Sequence, residues 1–472
     1  MEKVLVTVHR RMMVEGPLPE AAEAEIRRMF TVDNPAWVAA RRFGRYSRHL
    51  KRRLVFCRTT KNGMSMPRGA ASRVLEVLSR HGVDHVVADK TRRCPETPFS
   101  FAGTLMPHQE KAAEAALSRR FGVMALPTGA GKTVVALAVI AARGQPACVV
   151  VHTKELMYQW IDRAAAFLGM DPEEVGRVGD GQNRVGDRLT VALIHSLYSR
   201  TKQIAPKTGH LVVDECHHVP ARTFTHAVSG FDCRYMLGLS ATPFRRDGLT
   251  PLIHCFVGPR VIEVKPVQLQ RDGSILGARV CVRRTAFDYP FREDYGQMMT
   301  ALCADDARNS VIAADVAAWV EQGRGPALVV SERKSHCREL AARIRAACPR
   351  TDVLTGDTPG PARRRAIEKA DSGELDVLVA TLQLVGEGFD CPGLCALFLA
   401  TPMKFSGRVL QVVGRILRIA EGKGGAVVFD YVDRPGVLAA AYASRRRVYA
   451  RLGLSESAPP AFPAKPPACR AD

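Results

Sequence analysis

From Leu105 onward, short apolar or β-branched runs alternate with segments whose apolar residues recur at helical spacing. The runs are Gly122–Leu126, Cys148–His152, Thr190–Leu193, Leu211–Val213 and Met236–Leu239. Such alternation predicts a parallel sheet with crossover helices. A stretch rich in Arg, Gly and Asp, Val264 to Tyr295, interrupts it; the pattern resumes at Ala327–Ser331, Val377–Ala380, Ala396–Ala400 and Ala426–Asp430. Two α/β domains in tandem are expected, over 101–260 and 301–454, with a linker over 261–300. Ahead of them, residues 1–100 predict a small separate α/β module with helices over Ala21–Phe30 and Ala71–His81. Pro95, Pro98 and Gly103 mark its end. Residues 455–472 hold five prolines and few apolar side chains, and are expected to form a disordered tail.

Composition narrows the class. The chain has 472 residues, 46% of them hydrophobic, enough for several domains each with its own core. No apolar run approaches the ~20 residues of a membrane span, and the start lacks an apolar leader. Thirteen scattered cysteines, with no CxxC pair, fit free thiols in a reducing cytoplasm. Cys391 and Cys395 have no second pair nearby, so no zinc site is expected. The net charge is +21, of which residues 1–104 carry +10. From Arg41 to Lys61 there are nine cations and no acid, among them Arg41, Arg42, Arg45, Lys51, Arg52 and Arg53. Phe43, Tyr46 and Phe56 lie between them. Cations neutralise phosphates and aromatics stack on exposed bases, so this cluster is the candidate nucleic-acid contact.

Two constellations carry chemistry. Thr128-Gly129-Ala130-Gly131-Lys132-Thr133 follows a predicted strand and opens a predicted helix. Glycines there let backbone N–H groups turn toward phosphates, the helix start adds a positive dipole end, Lys132 pairs with phosphate and Thr133 offers a hydroxyl to Mg²⁺. Some 80 residues on, the apolar run Leu211–Val213 ends in Asp214 and Glu215. Asp214 suits a Mg²⁺ ligand at a strand's carboxyl end, and Glu215 suits a base for a water attacking the γ-phosphate.

Asp214-Glu215-Cys216-His217-His218-Val219-Pro220 resembles the DExH box of superfamily 2 helicases and translocases, in the form carried by the XPB-like branch and by phage branch-migration helicases. Other motifs follow in order. Leu105–Gln109 resembles the adenine-reading motif, with Gln109 as reader. Thr153, Leu156, Gln159 and Trp160 resemble motif Ia, and His195-Ser196-Leu197 a later strand-contact motif. Ser240-Ala241-Thr242 matches motif III, Thr381 with Gly386–Asp390 motif V, and Gln411–Arg418 motif VI.

The resemblance implies two tandem RecA-like parallel-sheet domains and an ATP-dependent DNA helicase or translocase, moving 3′→5′ in repair, recombination or branch migration. It implies ATP and Mg²⁺, with Gln109, Gly388 and Asp390 at the nucleotide, His217, Ser240 and Thr242 coupling hydrolysis to movement, and Thr153, Ser196 and Thr381 on the strand backbone. Gln411 would orient water or γ-phosphate. Arg415 and Arg418, three apart on one helix face, would be the cations reaching across the interdomain cleft to the transition state. The expected partner is single-stranded or branched DNA rather than RNA, with any nuclease or recombination partner supplied by another chain, in the cytoplasm or on a bacterial nucleoid. The alternatives are a duplex translocase that does not unwind and an ATP-gated scaffold of a defence or repair complex.

Overall fold

The structure is a computed structural model that describes residues 3–42, 44, 46–217, 221–241, 248–290, 294–386, 389, 391–403, 406–420 and 422–457. Arg45, Thr242, Gly388 and Asp390 lie outside the described residues, as do Phe43 and the stretch 458–472. Among the described residues no helix is long and apolar enough to cross a membrane. The chain folds as two compact units, one of residues 1–127 and 131–264, the other of residues 128–130 and 265 onward.

The first unit contains an eight-stranded sheet in the order Gln182–Arg184, Gly176–Gly179, Leu189–Leu193, Ala147–Val151, His210–Val213, Tyr235–Ser240, Phe121–Ala125 and Arg260–Glu263. All neighbours are parallel except the Gln182–Arg184 edge. Helices on its faces explain why Ala147–Val151 and His210–Val213 are buried at every position and read as continuous apolar runs. The five predicted runs match these strands to within a residue or two.

The N-terminal residues build a second sheet in the order Arg58–Thr60, Gly63–Met66, Met12–Glu15, Val4–Val8 and His85–Asp89. Helices Glu20–Met29 and Ala71–Arg80 accompany it. The expectation of a separate module is corrected here, because this sheet and the larger one share a single continuous core. Phe56 is half-buried and meets Phe256 edge to face at 5.8 Å, so it packs against this core. A Cβ on Gly69 would stand 2.6 Å from the Phe256 carbonyl carbon, so only glycine allows this approach. Next to it Arg68 is 2% exposed. Its guanidinium donates to the carbonyls of Cys233 (2.7 Å) and His9 (3.2 Å) and lies 4.9 Å from the Phe121 ring centroid. Arg92 adds a bidentate pair with buried Asp232, at 3.0 and 2.8 Å. A buried guanidinium with its donors engaged is costly to pull away, which makes this seam rigid.

The second unit is an all-parallel seven-stranded sheet in the order Thr351–Leu354, Val377–Thr381, Ala327–Ser331, Ala396–Leu399, Ala426–Val432, Ala278–Arg284 and Ser455–Ser457. Two expectations fail in it. The linker over 261–300 contains the strand Ala278–Arg284, paired along its full length with Ala426–Val432, while Arg260–Glu263 closes the first unit's sheet. The expected tail begins too early, because Ser455–Ser457 pairs with Arg279–Cys281.

Candidate active site and nucleic-acid contacts

The site is built where strands of the first sheet end. Strand Phe121–Ala125 leads through Leu126 and the glycine-rich loop into helix Lys132–Arg143. Gly131 caps that helix in the left-handed region, at φ +77°. A Cβ there would also collide with the Gln109 amide. Gln109 is buried, and its side-chain carbonyl accepts from the Met106 N–H at 3.0 Å. The structure therefore seats Gln109 against the loop.

Strand His210–Val213 delivers the carboxylates. The Asp214 N–H donates to the Val150 carbonyl, continuing the sheet for one more residue. The chain then turns through Glu215 at φ +43°, a left-handed conformation costly for a side chain with a Cβ and typical of functional sites. Cys216 rejoins the structure through its N–H to Leu239 O at 3.1 Å. Asp214 is buried; its Oδ2 accepts from the Trp160 indole at 2.8 Å and its Oδ1 from the Glu215 N–H at 2.9 Å. Burial raises the Asp214 pKa and neighbouring Glu215 raises it further, against the Trp160 hydrogen bond and Lys132. A carboxylate clamped by neutral donors, with the Thr133 hydroxyl supplied by the loop helix, offers hard oxygen ligands that suit Mg²⁺.

Five contacts close into a ring around Glu215. Lys132 Nζ lies 3.5 Å from Glu215 Oε1. Glu215 Oε2 is 3.4 Å from His217 Nδ1. That nitrogen is 2.7 Å from the Ser240 hydroxyl. The Ser240 carbonyl accepts from Leu126 N–H at 3.0 Å, and Lys132 Nζ returns to Leu126 O at 3.4 Å. Residues from three parts of the sequence thus surround one carboxylate. Trp160, read only as part of motif Ia, emerges as the Asp214 clamp. No local signal marks that pairing across 54 residues; the clue is that a buried indole N–H needs an acceptor.

The other predicted residues are placed as follows. Thr153 caps helix Lys154–Leu168, accepting from Leu156 N–H at 3.3 Å. Ser196 lies in the first turn of helix Ile194–Ile204, and Thr381 ends strand Val377–Thr381 in the second unit. Gln411 is buried in helix Ser406–Ile416, which also carries Arg415. The helix stops at Ile416, so Arg418 stands in the turn beyond it, and the expectation of both arginines on one helix face is corrected.

In the basic cluster, Arg41 and Arg42 end helix Pro35–Arg42, where cations complement the helix dipole. The guanidiniums of Arg41 and Arg52 each lie 5.5 Å from the Trp37 ring centroid. Arg53 reaches Asp33 at 3.7 Å across the short ribbon of Thr31–Asp33 with Arg53–Val55. Lys51 is exposed, and Tyr46 is 70% exposed beside His49.

Residues 103–245 match the family described as Type III restriction enzyme, res subunit, and residues 312–420 match the helicase conserved C-terminal domain. The chain is 37% identical over 157 residues to the "DNA 3'-5' translocase XPB2" of Sulfurisphaera tokodaii, which covers 33% of this chain and 35% of that relative's length. It is 26% identical over 330 residues to "Probable helicase D10" of Escherichia phage T5, covering 69% and 70%. In fold it resembles S. cerevisiae Dbp5 bound to RNA and ADP BeF3, with a TM-score of 0.55 at 13% identity, over 75% of this chain and 90% of that one. The two domain matches and the relatives on both lines support a superfamily 2 helicase of the XPB-like and phage type.

Proposed function

We propose that this chain is an ATP-dependent DNA helicase or translocase that couples ATP hydrolysis to 3′→5′ movement in repair, recombination or branch migration. The observation that carries the reading is the closed ring linking Lys132, Glu215, His217, Ser240 and Leu126. It ties the phosphate-binding lysine and the candidate base to the residue that opens motif III. Mg²⁺-bound ATP supplies the γ-phosphoryl group and part of its charge neutralisation.

The chain's own residues do the rest. Gly129, Gly131 and the first turn of helix Lys132–Arg143 present backbone N–H groups, with Thr128 and Ala130 in the same cradle, and Lys132 binds the phosphates. Thr133 and Asp214 would hold the metal, with Trp160 fixing the Asp214 carboxylate. Glu215 takes the proton of the attacking water, and His217 holds Glu215 in place. Gln109 reads the adenine. From the second unit, Gln411, Arg415 and Arg418 act on the transferring phosphoryl, and Gly388 and Asp390 on the nucleotide. Loss of the γ-phosphate is relayed through His217 to Ser240 and Thr242. Thr153, Ser196 and Thr381 hold the strand backbone, while Arg41, Arg42, Arg45, Lys51, Arg52 and Arg53 contact single-stranded or branched DNA.

The test is ATP hydrolysis with single-stranded DNA, duplex, branched DNA and RNA, alongside strand displacement on forks and four-way junctions. DNA-stimulated hydrolysis with displacement is expected. Stimulation without displacement would favour a duplex translocase, and no stimulation by any nucleic acid would favour an ATP-gated scaffold. Removing the six cations together should flatten the salt dependence of DNA binding, each lost phosphate contact lowering the slope by about 0.7–0.9.

A further inference from the structure

The second unit contains a buried lysine whose contacts make it more than filler. Lys423 is 9% exposed and lies just before strand Ala426–Val432. Its ammonium donates to the Pro392 carbonyl at 2.8 Å and to the Arg418 carbonyl at 3.0 Å. One acceptor belongs to the arginine proposed to act on the phosphoryl group. The other lies two residues past Asp390, the end of the motif V stretch.

Both ends of this link are anchored. On the arginine side, the Leu417 carbonyl accepts from Leu276 N–H at 2.8 Å, so the turn carrying Arg418 is gripped at successive residues. On the loop side, Gly393 N–H donates to Asp371 Oδ1 at 2.8 Å and Cys395 N–H to Pro326 O at 2.8 Å. Helix Ser406–Ile416 ends before Arg418, so that residue lies just past the helix end. A cation satisfying a carbonyl just past a helix end is a recognised substitute.

We propose that Lys423 is a positioning residue for Arg418, tying the arginine-bearing turn to the loop after Asp390 so that both stretches assigned to the nucleotide keep one fixed spacing. The inference rests on the proposed reading of Arg418 as a catalytic cation. Neither composition nor motif marks Lys423, which lies five residues past that motif in a glycine-rich loop.

The site also predicts a pH response. Burial lowers Lys423 to about 8, Arg418 pushes the same way, and Cys395, Cys391 and Asp371 oppose the fall. Ammonium-to-carbonyl hydrogen bonds are stronger than those of the neutral amine, so the tie weakens as pH rises through that value.

The test combines Lys423→Met and Arg418→Ala, singly and together, in DNA-stimulated ATP hydrolysis by the full chain. Lys423→Met should lower kcat by about tenfold with KM for ATP changed less, and by under about twofold when Arg418 is already alanine. An equal loss in both backgrounds would assign Lys423 a merely structural role and overturn the proposal, as would no loss at all. Should Lys423→Met fail to fold, Lys423→Arg decides. Its guanidinium stays charged, so the decline of kcat above about pH 8 should disappear. A decline unchanged from the wild type would overturn the proposal. Full kcat in Arg418→Ala would instead overturn the reading of Arg418 on which the proposal stands.

Discussion

Asp214 and Asp433 occupy equivalent stations. Each follows immediately on a fully buried strand of a parallel sheet, His210–Val213 in one unit and Ala426–Val432 in the other, and each is almost wholly buried. Their partners differ in kind. Asp433 is closed by Arg308, at 2.8 and 3.3 Å, and by the Thr285 hydroxyl at 2.5 Å; the Arg308 guanidinium is completed by Ala400 O at 2.7 Å. Asp214 is held by the neutral Trp160 indole and a backbone N–H, with Glu215 beside it. A guanidinium consumes a carboxylate's charge, whereas neutral donors orient the group and leave its charge for a ligand. The same fold position is thus a staple in one unit and a site in the other, and the donor type separates them.

This contrast can be broken in order of expected effect. Glu215→Gln should lower ATP turnover by about 10²–10⁴-fold while leaving the thermal midpoint near that of the wild type, measured by single-turnover hydrolysis and calorimetry. Arg308→Met should do the reverse, costing the second unit about 3–5 kcal/mol by leaving Asp433 buried and unpaired; adding Asp433→Leu should recover much of that loss in denaturant titrations. A drop in turnover without destabilisation would mean that Asp433 is not a staple. Trp160→Phe removes one hydrogen bond to a charged group, worth about 1.5–3 kcal/mol, and should raise the Mg²⁺ concentration for half-maximal turnover by about tenfold or more. An unchanged Mg²⁺ requirement would show that the indole does not hold the metal ligand.

The smallest effect is on stability. The folded-state pKa of Asp214 lies above the ordinary value of 3.8 because of burial and Glu215. The protonated form is therefore favoured in the folded state. This contribution is fully present below the unfolded value and lost as pH rises through the folded one, leaving an ionised, destabilising group at neutral pH. Asp214→Asn should accordingly be inactive yet more stable than the wild type at pH 7, with the difference shrinking as pH falls toward 4. A variant less stable at pH 7 would contradict the neutral clamp.

Much of this was legible in the sequence because the information is local. Ala147–Val151 and His210–Val213 announce themselves as apolar runs, and the loop before Lys132 by its glycines. Ala278–Arg284 was not, since three of its seven residues are arginine. Arg283 is neutralised by Asp315, 32 residues later and bonded at 2.9 and 2.7 Å, a pairing that no local window contains. The shared core of the N-terminal sheet was not legible for a related reason. Its strands are three to five residues long, and their buried faces are completed by Phe256 and its neighbours near the far end of the first unit. The ring around Glu215 was legible as a set of residues but not as a set of distances.

The seam at Arg68 and Gly69 limits how this protein can be divided. Proline and glycine between residues 95 and 103 look like an invitation to cut, and a truncated motor beginning there would keep every ATP motif. Yet such a cut would uncover Phe256, remove the guanidinium from the Cys233 carbonyl and strand Asp232 without Arg92. Replacement of the N-terminal sheet by another would meet the same obstacle, because the two sheets share one core. The short ribbon of Thr31–Asp33 with Arg53–Val55 and helix Pro35–Arg42 lie outside those contacts, so substitutions at their exposed positions leave the seam intact.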